Sequence, residues 1–219
     1  MTRKSSFPGP EALMKTAVYG GTFNPIHRGH IHILGEFMER LALDRALLIP
    51  DGAPPHKQAL DLAPGEHRLG MCRLAAEALP GRVEVSPIEL ERPGRSYTSD
   101  TLAQLNGLFP GEELYLLMGE DMFLTVDRWH AAEEIFRRAV LCASPRSPAG
   151  LERLEAKARE LAALGARCRV EDIPFWDISS TQVRKLAARG EDIQGLVPGR
   201  VADYIKKYGI YRGGGEHEA

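Results

Sequence analysis

The chain has 219 residues, of which 43% are hydrophobic, and carries a net charge of -2. That is enough apolar material for one full core, and the near-balanced charge excludes a broad basic surface for non-specific nucleic-acid binding. No apolar run is long enough to cross a bilayer and residues 1–14 lack the hydrophobic centre of a signal peptide, so a cytoplasmic protein is expected.

Taken in order, residues 1–14 hold basic and turn-forming side chains and read as a disordered leader, with Met14 itself a candidate start. A short apolar run, Thr16-Ala17-Val18-Tyr19, then meets Gly20-Gly21-Thr22-Phe23-Asn24-Pro25-Ile26-His27-Arg28-Gly29-His30. Beyond it Ile31, Leu34, Phe37, Met38 and Leu41 recur at helical spacing, which gives strand, tight loop and helix. Ala46 to Pro50 reads as a buried strand, followed by the turn-rich stretch Asp51 to Lys57. The expected elements continue as a helix over Gly65–Leu79, a strand over Val83–Leu90, a helix over Thr98–Leu108 and a strand over Leu114–Met118 that stops at Gly119.

The second half keeps the rhythm: a helix over Ala131–Arg138, a strand over Ala139–Ala143, an amphipathic helix over Leu151–Leu164 and a strand over Val170–Ile173. Two more helices follow, Thr181–Arg189 and one starting near Pro198 with Val201, Tyr204 and Ile205 on its apolar face. Alternating strands and helices imply an α/β fold with a doubly wound, mostly parallel sheet over residues 15–178, extended by helices over 179–212 and a flexible tail over 213–219. Cys72, Cys142 and Cys168 are odd in number, far apart and flanked by apolar residues, which suits buried thiols.

The glycine loop carries the chemistry. Without Cβ atoms, Gly20 and Gly21 let the backbone turn and let a ligand come close to its N–H groups. The helix behind points its unpaired N–H groups and its positive dipole end at the same spot, a site suited to phosphate. His27 and His30, spaced i and i+3, fall on one side of the helix entrance, each able to donate to a phosphate oxygen, and Gly29 between them leaves room for a nucleotide. The loop is neither a Walker A loop nor a dinucleotide GxGxxG. In such sheets ligands bind outside the carboxyl ends of the strands. The other unusual stretches, Pro54-Pro55-His56-Lys57, Ser96-Tyr97-Thr98, Gly119-Glu120-Asp121 and Ile178-Ser179-Ser180-Thr181, all follow strands and share that edge.

Gly21-Thr22-Phe23-Asn24-Pro25 followed by His27-x-Gly29-His30 resembles the signature of the nucleotidylyltransferase superfamily. Together with Pro-Pro-His-Lys, Ser-Tyr-Thr-x-Asp-Thr-Leu, Gly-x-Asp with Trp129 downstream, Ile-Ser-Ser-Thr-x-x-Arg and the closing Val-Pro-x-x-Val-x-x-Tyr-Ile, it is similar to bacterial nicotinate-nucleotide adenylyltransferase from Gly20 to Ile205. The resemblance implies a Rossmann-like fold whose C-terminal helices complete the ATP site. It also implies transfer of the adenylyl group of ATP to nicotinate mononucleotide, with Mg²⁺ held mainly by the ATP phosphates. His27, His30 and Arg184 match the catalytic and phosphate-binding positions. Gly21, Thr22, Phe23, Gly119, Asp121, Ser179 and Ser180 match the rest of the ATP site. Thr22, His56, Lys57, Thr98 and Trp129 match the mononucleotide site, Thr98 by its backbone at the carboxylate and Trp129 by stacking on the pyridine ring.

Two positions depart from the family: His130 stands where Tyr is common, and Glu120 where Ala is common. Glu120 leaves the geometry near the ribose open. The alternatives are an adenylyltransferase for nicotinamide mononucleotide or another phosphorylated acceptor, a nucleotide sensor without turnover, and a nucleic-acid binder, which the net charge disfavours. Whether the protein forms a homo-oligomer is not legible.

Overall fold

The computed structural model describes residues 13–52 and 62–212. Six strands form one parallel sheet in the order β3-β2-β1-β4-β5-β6: β1 (Lys15–Gly21), β2 (Arg45–Pro50), β3 (Arg82–Val85), β4 (Glu113–Met118), β5 (Ala139–Ala143) and β6 (Arg167–Val170). Between and after them run α1 (Arg28–Arg40), α2 (Gly65–Ala76), α3 (Thr98–Leu108), α4 (Glu120–Phe123), α5 (Ala132–Arg138), α6 (Pro148–Ala163), α7 (Ser180–Ala188) and α8 (Gly199–Lys207). Strand order reverses between β1 and β4, and the crevice at their carboxyl ends is where such sheets bind ligands.

Period-2 alternation explains the two layers. Ala17, Ala46, Leu48, Tyr115, Leu117, Val140 and Cys142 face one side, packed with α1, α2, α7 and α8. Their sequence neighbours Val18, Leu47, Ile49, Leu114, Leu116, Leu141 and Ala143 face the other, packed with α3, α5 and α6. The C-terminal helices therefore belong to the same core as α1: Val183, Val197, Val201 and Ile205 are buried there. At the amino end of the sheet, the buried Arg45 donates to Glu112 at 2.7 Å and to the Thr16 hydroxyl at 3.1 Å, and lies over the Phe109 ring.

Several boundaries move, and α2 ends at Ala76 rather than Leu79. The third strand stops at Val85 rather than Leu90, because Pro87 cannot donate to a ladder and the chain turns there, with the Glu91 N–H on the Pro87 carbonyl. The last strand is Arg167–Val170, three residues earlier than expected. It is an edge strand with charged Arg167 and Arg169 outward and Cys168 and Val170 inward, so no apolar run marks it; Ile173 lies beyond it in the opposite layer. α6 starts at Pro148, in the N1/N2 region behind the N-cap Ser147. α4 and a 3-10 turn over Val126–Arg128 were not foreseen, being too short to show a period.

Of the expected leader, only Leu13 and Met14 are described, and the Met14 carbonyl already accepts the Glu113 N–H of β4. The expected tail, and His56 and Lys57, lie outside the described residues. All three thiols are free, with Cys72 and Cys142 buried and Cys168 half-buried. Among the described residues no helix is long and apolar enough to cross a membrane.

Candidate active site

The glycine loop lies at the switch point, and three side chains from distant elements hold its carbonyl oxygens. The buried Arg68 of α2 donates to the Thr22 carbonyl at 2.9 Å and to Asp51 at 3.0 Å. Arg184 of α7 donates to the Asn24 carbonyl at 2.9 Å, and the Ser180 hydroxyl to the Pro25 carbonyl at 2.9 Å. A phosphate loop must keep its carbonyls away from the anion, and here those of Thr22, Asn24 and Pro25 each have a donor inside the protein. The Asn24 side chain is fixed as well, accepting from Tyr211 at 2.7 Å and from the Ala63 N–H at 3.1 Å. The Thr22 hydroxyl donates to Asp51 at 2.9 Å.

Phe23, at a positive φ of 44°, is buried and meets the His30 ring edge-to-face at 5.2 Å. Its ring also explains Gly21, where a Cβ would come within 3.1 Å of it. Phe23 thus supports the histidines from beneath. His27 caps α1 and stacks on His30 with centroids 3.6 Å apart, so the two imidazoles form one unit rather than two separate arms. The His27 ring folds back over Gly29, whose Cβ would stand 3.1 Å from Nδ1; that glycine makes room for the histidine, where the sequence suggested room for the nucleotide.

His30 Nδ1 accepts the His27 backbone N–H at 3.2 Å, which assigns its proton to Nε2. No described residue accepts from that Nε2. Burial pushes His27 down to about 4, and burial, then His27 and Arg146, hold His30 well below the ordinary imidazole range. Both rings are therefore neutral donors at pH 7. The sign of the linkage follows: an unfolded imidazole takes up a proton below about 6.5 and the folded His27 does not until about 4, so stability falls as pH drops through that window. From pH 7 to 5 His27 alone should cost about 2 kcal/mol of unfolding free energy. Urea titrations of the wild type and His27→Asn check this, and equal acid sensitivity of the two would contradict it.

On α7, Ser179 is the N-cap, accepting the Gln182 N–H at 3.1 Å. Arg184 spends Nη1 on Asn24 and Nη2 on Thr181 at 3.2 Å, while Nε is buried without a partner among the described residues. Gly119 caps α4 and Asp121 is exposed, paired with Arg146 at 2.8 Å. Glu120 turns away from them and is 2% exposed. It accepts the Arg146 backbone N–H at 2.8 Å and pairs with Arg153. Burial raises its pKa, but these partners outweigh it and hold the carboxyl below its usual range. A Cβ at Gly150 would stand 2.7 Å from this carboxylate, so Glu120 and Gly150 make one structural joint between α4 and α6.

Beside the loop opens a cavity of about 500 Å³. Gly20 and Gly21 line one side, Thr98, Tyr97 and Ser96 another, and Trp129 with its neighbours Arg128 and His130 a third. The His130 ring packs on Tyr97 at 4.3 Å. Sequence reasoning missed Arg68 and Arg146. Arg68 had a signal: it shares a helical face with Met71, Cys72 and Ala75, a charge in an apolar stripe. Arg146 had none.

A doubly wound sheet with an imidazole-bearing loop at its switch point defines a nucleotidyltransferase, and the cytidylyltransferase-like family model matches residues 18–186. A probable nicotinate-nucleotide adenylyltransferase of Roseiflexus sp. is 42% identical over 89% of this chain and 96% of its own, and one of Dehalococcoides mccartyi (strain BAV1) is 39% identical over 90% and 97%. The chain belongs to the nicotinate-nucleotide adenylyltransferase family. Its fold is also that of a Plasmodium falciparum nicotinic acid mononucleotide adenylyltransferase described in complex with NaAD, at TM-score 0.72 and 20% identity over 90% of this chain and 97% of that one.

Proposed function

We infer that this protein joins nicotinate mononucleotide to the adenylyl group of ATP, giving deamido-NAD and pyrophosphate. The observation that carries the reading is adjacency. Gly20 and Gly21 end β1 as a wall of the cavity, and the same strand end runs into the loop of His27 and His30. An acceptor in the cavity and a triphosphate on the loop would meet across two residues without side chains.

In this reading the mononucleotide phosphate attacks the α-phosphorus of ATP. A phosphorus–oxygen bond forms to the acceptor, the bond to the β-phosphate oxygen breaks, and pyrophosphate leaves with the electron pair. The nucleophile is already an anion at neutral pH, so no general base is needed. The residues position two anions and donate hydrogen bonds to the charge that builds between them. His27 and His30 take the phosphates nearest the reacting centre, and Ser179, Ser180 and Arg184 the outer ones. Gly119 and Asp121 flank the ribose, Thr98 offers its backbone to the nicotinate carboxylate, and Trp129 stacks on the ring. Thr22, His56 and Lys57 complete the mononucleotide side. Among the described residues no group of three or more carboxylate, imidazole or thiol ligands gathers, and Mg²⁺ carried on nucleotide phosphates with its own waters needs none. When bound, it would supply charge neutralisation on those phosphates. The partners are two nucleotides rather than nucleic acid, and the cytoplasm holds both.

ATP labelled on the α-phosphate should deliver its label to the dinucleotide, and β,γ-label should appear as pyrophosphate, in the presence of nicotinate mononucleotide. Release of labelled ADP or orthophosphate instead would overturn the reading.

Arg184 gives a second test. Its Nε is buried with no acceptor among the described residues, an orphan donor that a phosphate oxygen would satisfy. Arg184→Lys keeps the charge but loses the fork. The KM for ATP should rise about tenfold or more, that for the mononucleotide should change little, and stability should drop about 1 kcal/mol as the Asn24 carbonyl loses its donor. Unchanged ATP kinetics would remove Arg184 from the site.

A further inference from the structure

One wall of the cavity is assembled from two pieces of chain: Glu89 from the turn after β3, and Ser96, Tyr97, Thr98 and Thr101 at the entry and first turn of α3. All five residues line the cavity. The Thr101 N–H bonds the Tyr97 carbonyl at 3.1 Å, which makes the α3 side one unit, and among the described residues no backbone bond ties that unit to Glu89. Between them stands Arg92, half-buried and outside the lining. Its Nη1 donates to the Ser96 hydroxyl and, at 3.0 Å, to the Thr101 hydroxyl. Nη2 donates to the Gln104 side chain at 2.8 Å. The Thr101 hydroxyl, on a residue only 2% exposed, passes the connection on by donating to Glu89 at 2.7 Å.

We propose that Arg92 is a positioning residue for the acceptor mononucleotide. Its planar fork locks Ser96 and Thr101 to each other and, through Thr101, to Glu89, so that Tyr97 and Thr98 present their backbone to the cavity at a fixed distance. The proposal deepens the functional reading above and rests on it. The chemistry suits the assignment: one guanidinium holds several acceptors in one plane, which a point charge does not do. The Thr101 hydroxyl accepts from Arg92 and has two acceptors in reach, Glu89 at 2.7 Å and the Tyr97 carbonyl at 3.3 Å, of which the shorter contact to the carboxylate carries the connection to Glu89. Glu89 would otherwise be an unneutralised carboxyl facing an anionic ligand. Burial pushes its pKa up, against the Thr101 hydrogen bond. The ATP loop is anchored through Arg68, Arg184 and Ser180 instead, with no member in common.

The test is steady-state kinetics on Arg92→Met, Arg92→Lys, Thr101→Val and Gln104→Ala, each first shown to be folded by circular dichroism and thermal melting. Activity of the wild type with nicotinate mononucleotide checks the functional reading separately, since its absence would fail that reading before any variant is compared. For Arg92→Met and Thr101→Val the KM for the mononucleotide should rise about tenfold, with the KM for ATP within twofold. Arg92→Lys, reaching one hydroxyl but not both, should fall between. Gln104→Ala, which leaves the wall intact, should match the wild type. A merely structural role would move both KM values or the melting temperature alone. Equal shifts in the two KM values, no shift, or full rescue by lysine would overturn the proposal. Should Arg92→Met fail to fold, the Thr101→Val and Gln104→Ala pair decides it on the same readout.

Discussion

His30→Ala should lower kcat and kcat/KM together by about a hundredfold or more, the loss typical of one donor aimed at developing charge. The geometry defines what is removed. His30 is neutral, its Nδ1 is occupied by the His27 N–H, and its remaining Nε2 proton has no acceptor among the described residues. The ring cannot swing, since His27 covers one face at 3.6 Å and the Phe23 ring meets it at 86°. A donor held this way costs no reorganisation when charge grows on the α-phosphate, which is why its effect should appear in the transition state more than in ground-state binding. ATP affinity should change by less than about threefold. The variant should fold, because His30 is half-buried at the cleft and α1 is anchored by Leu34 and Phe37. A folded His30→Ala protein turning over at the wild-type rate would return His30 to a helix-end role.

Much of this was legible in the sequence because the sheet is buried on both faces. Apolar runs such as Leu114–Met118 and Ala139–Ala143 have no reading but a central strand, and Thr98–Leu108 begins where the turn chemistry ends. β6 was misplaced because an edge strand needs only every second residue apolar. The site was legible as residue types at strand ends, and less so as geometry. Nothing local says that Arg184 and Ser180 hold the loop across 160 and 155 residues of sequence, or that Phe23 packs against His30. Glu120 is not placed by its neighbours in sequence because its partners come from elsewhere, Arg146 just before α6 and Gly150 and Arg153 within its first turns. Its carboxylate faces the α6 side, away from Asp121.

In the proposed reaction the cavity takes the acid form of a pyridine mononucleotide. α3 begins at Thr98 with no side chain capping it; the Asp100 and Thr101 N–H groups bond the Tyr97 carbonyl, but those of Thr98 and Ser99 have no acceptor among the described residues, at the positive end of an eleven-residue helix beside the cavity. A carboxylate satisfies them, whereas a carboxamide presents one oxygen and a donor, which leaves N–H groups unmatched and should cost several kcal/mol. The measurement is kcat/KM for nicotinate mononucleotide against nicotinamide mononucleotide at saturating ATP. The structure predicts preference for the acid by about a hundredfold or more, and parity or preference for the amide would contradict it.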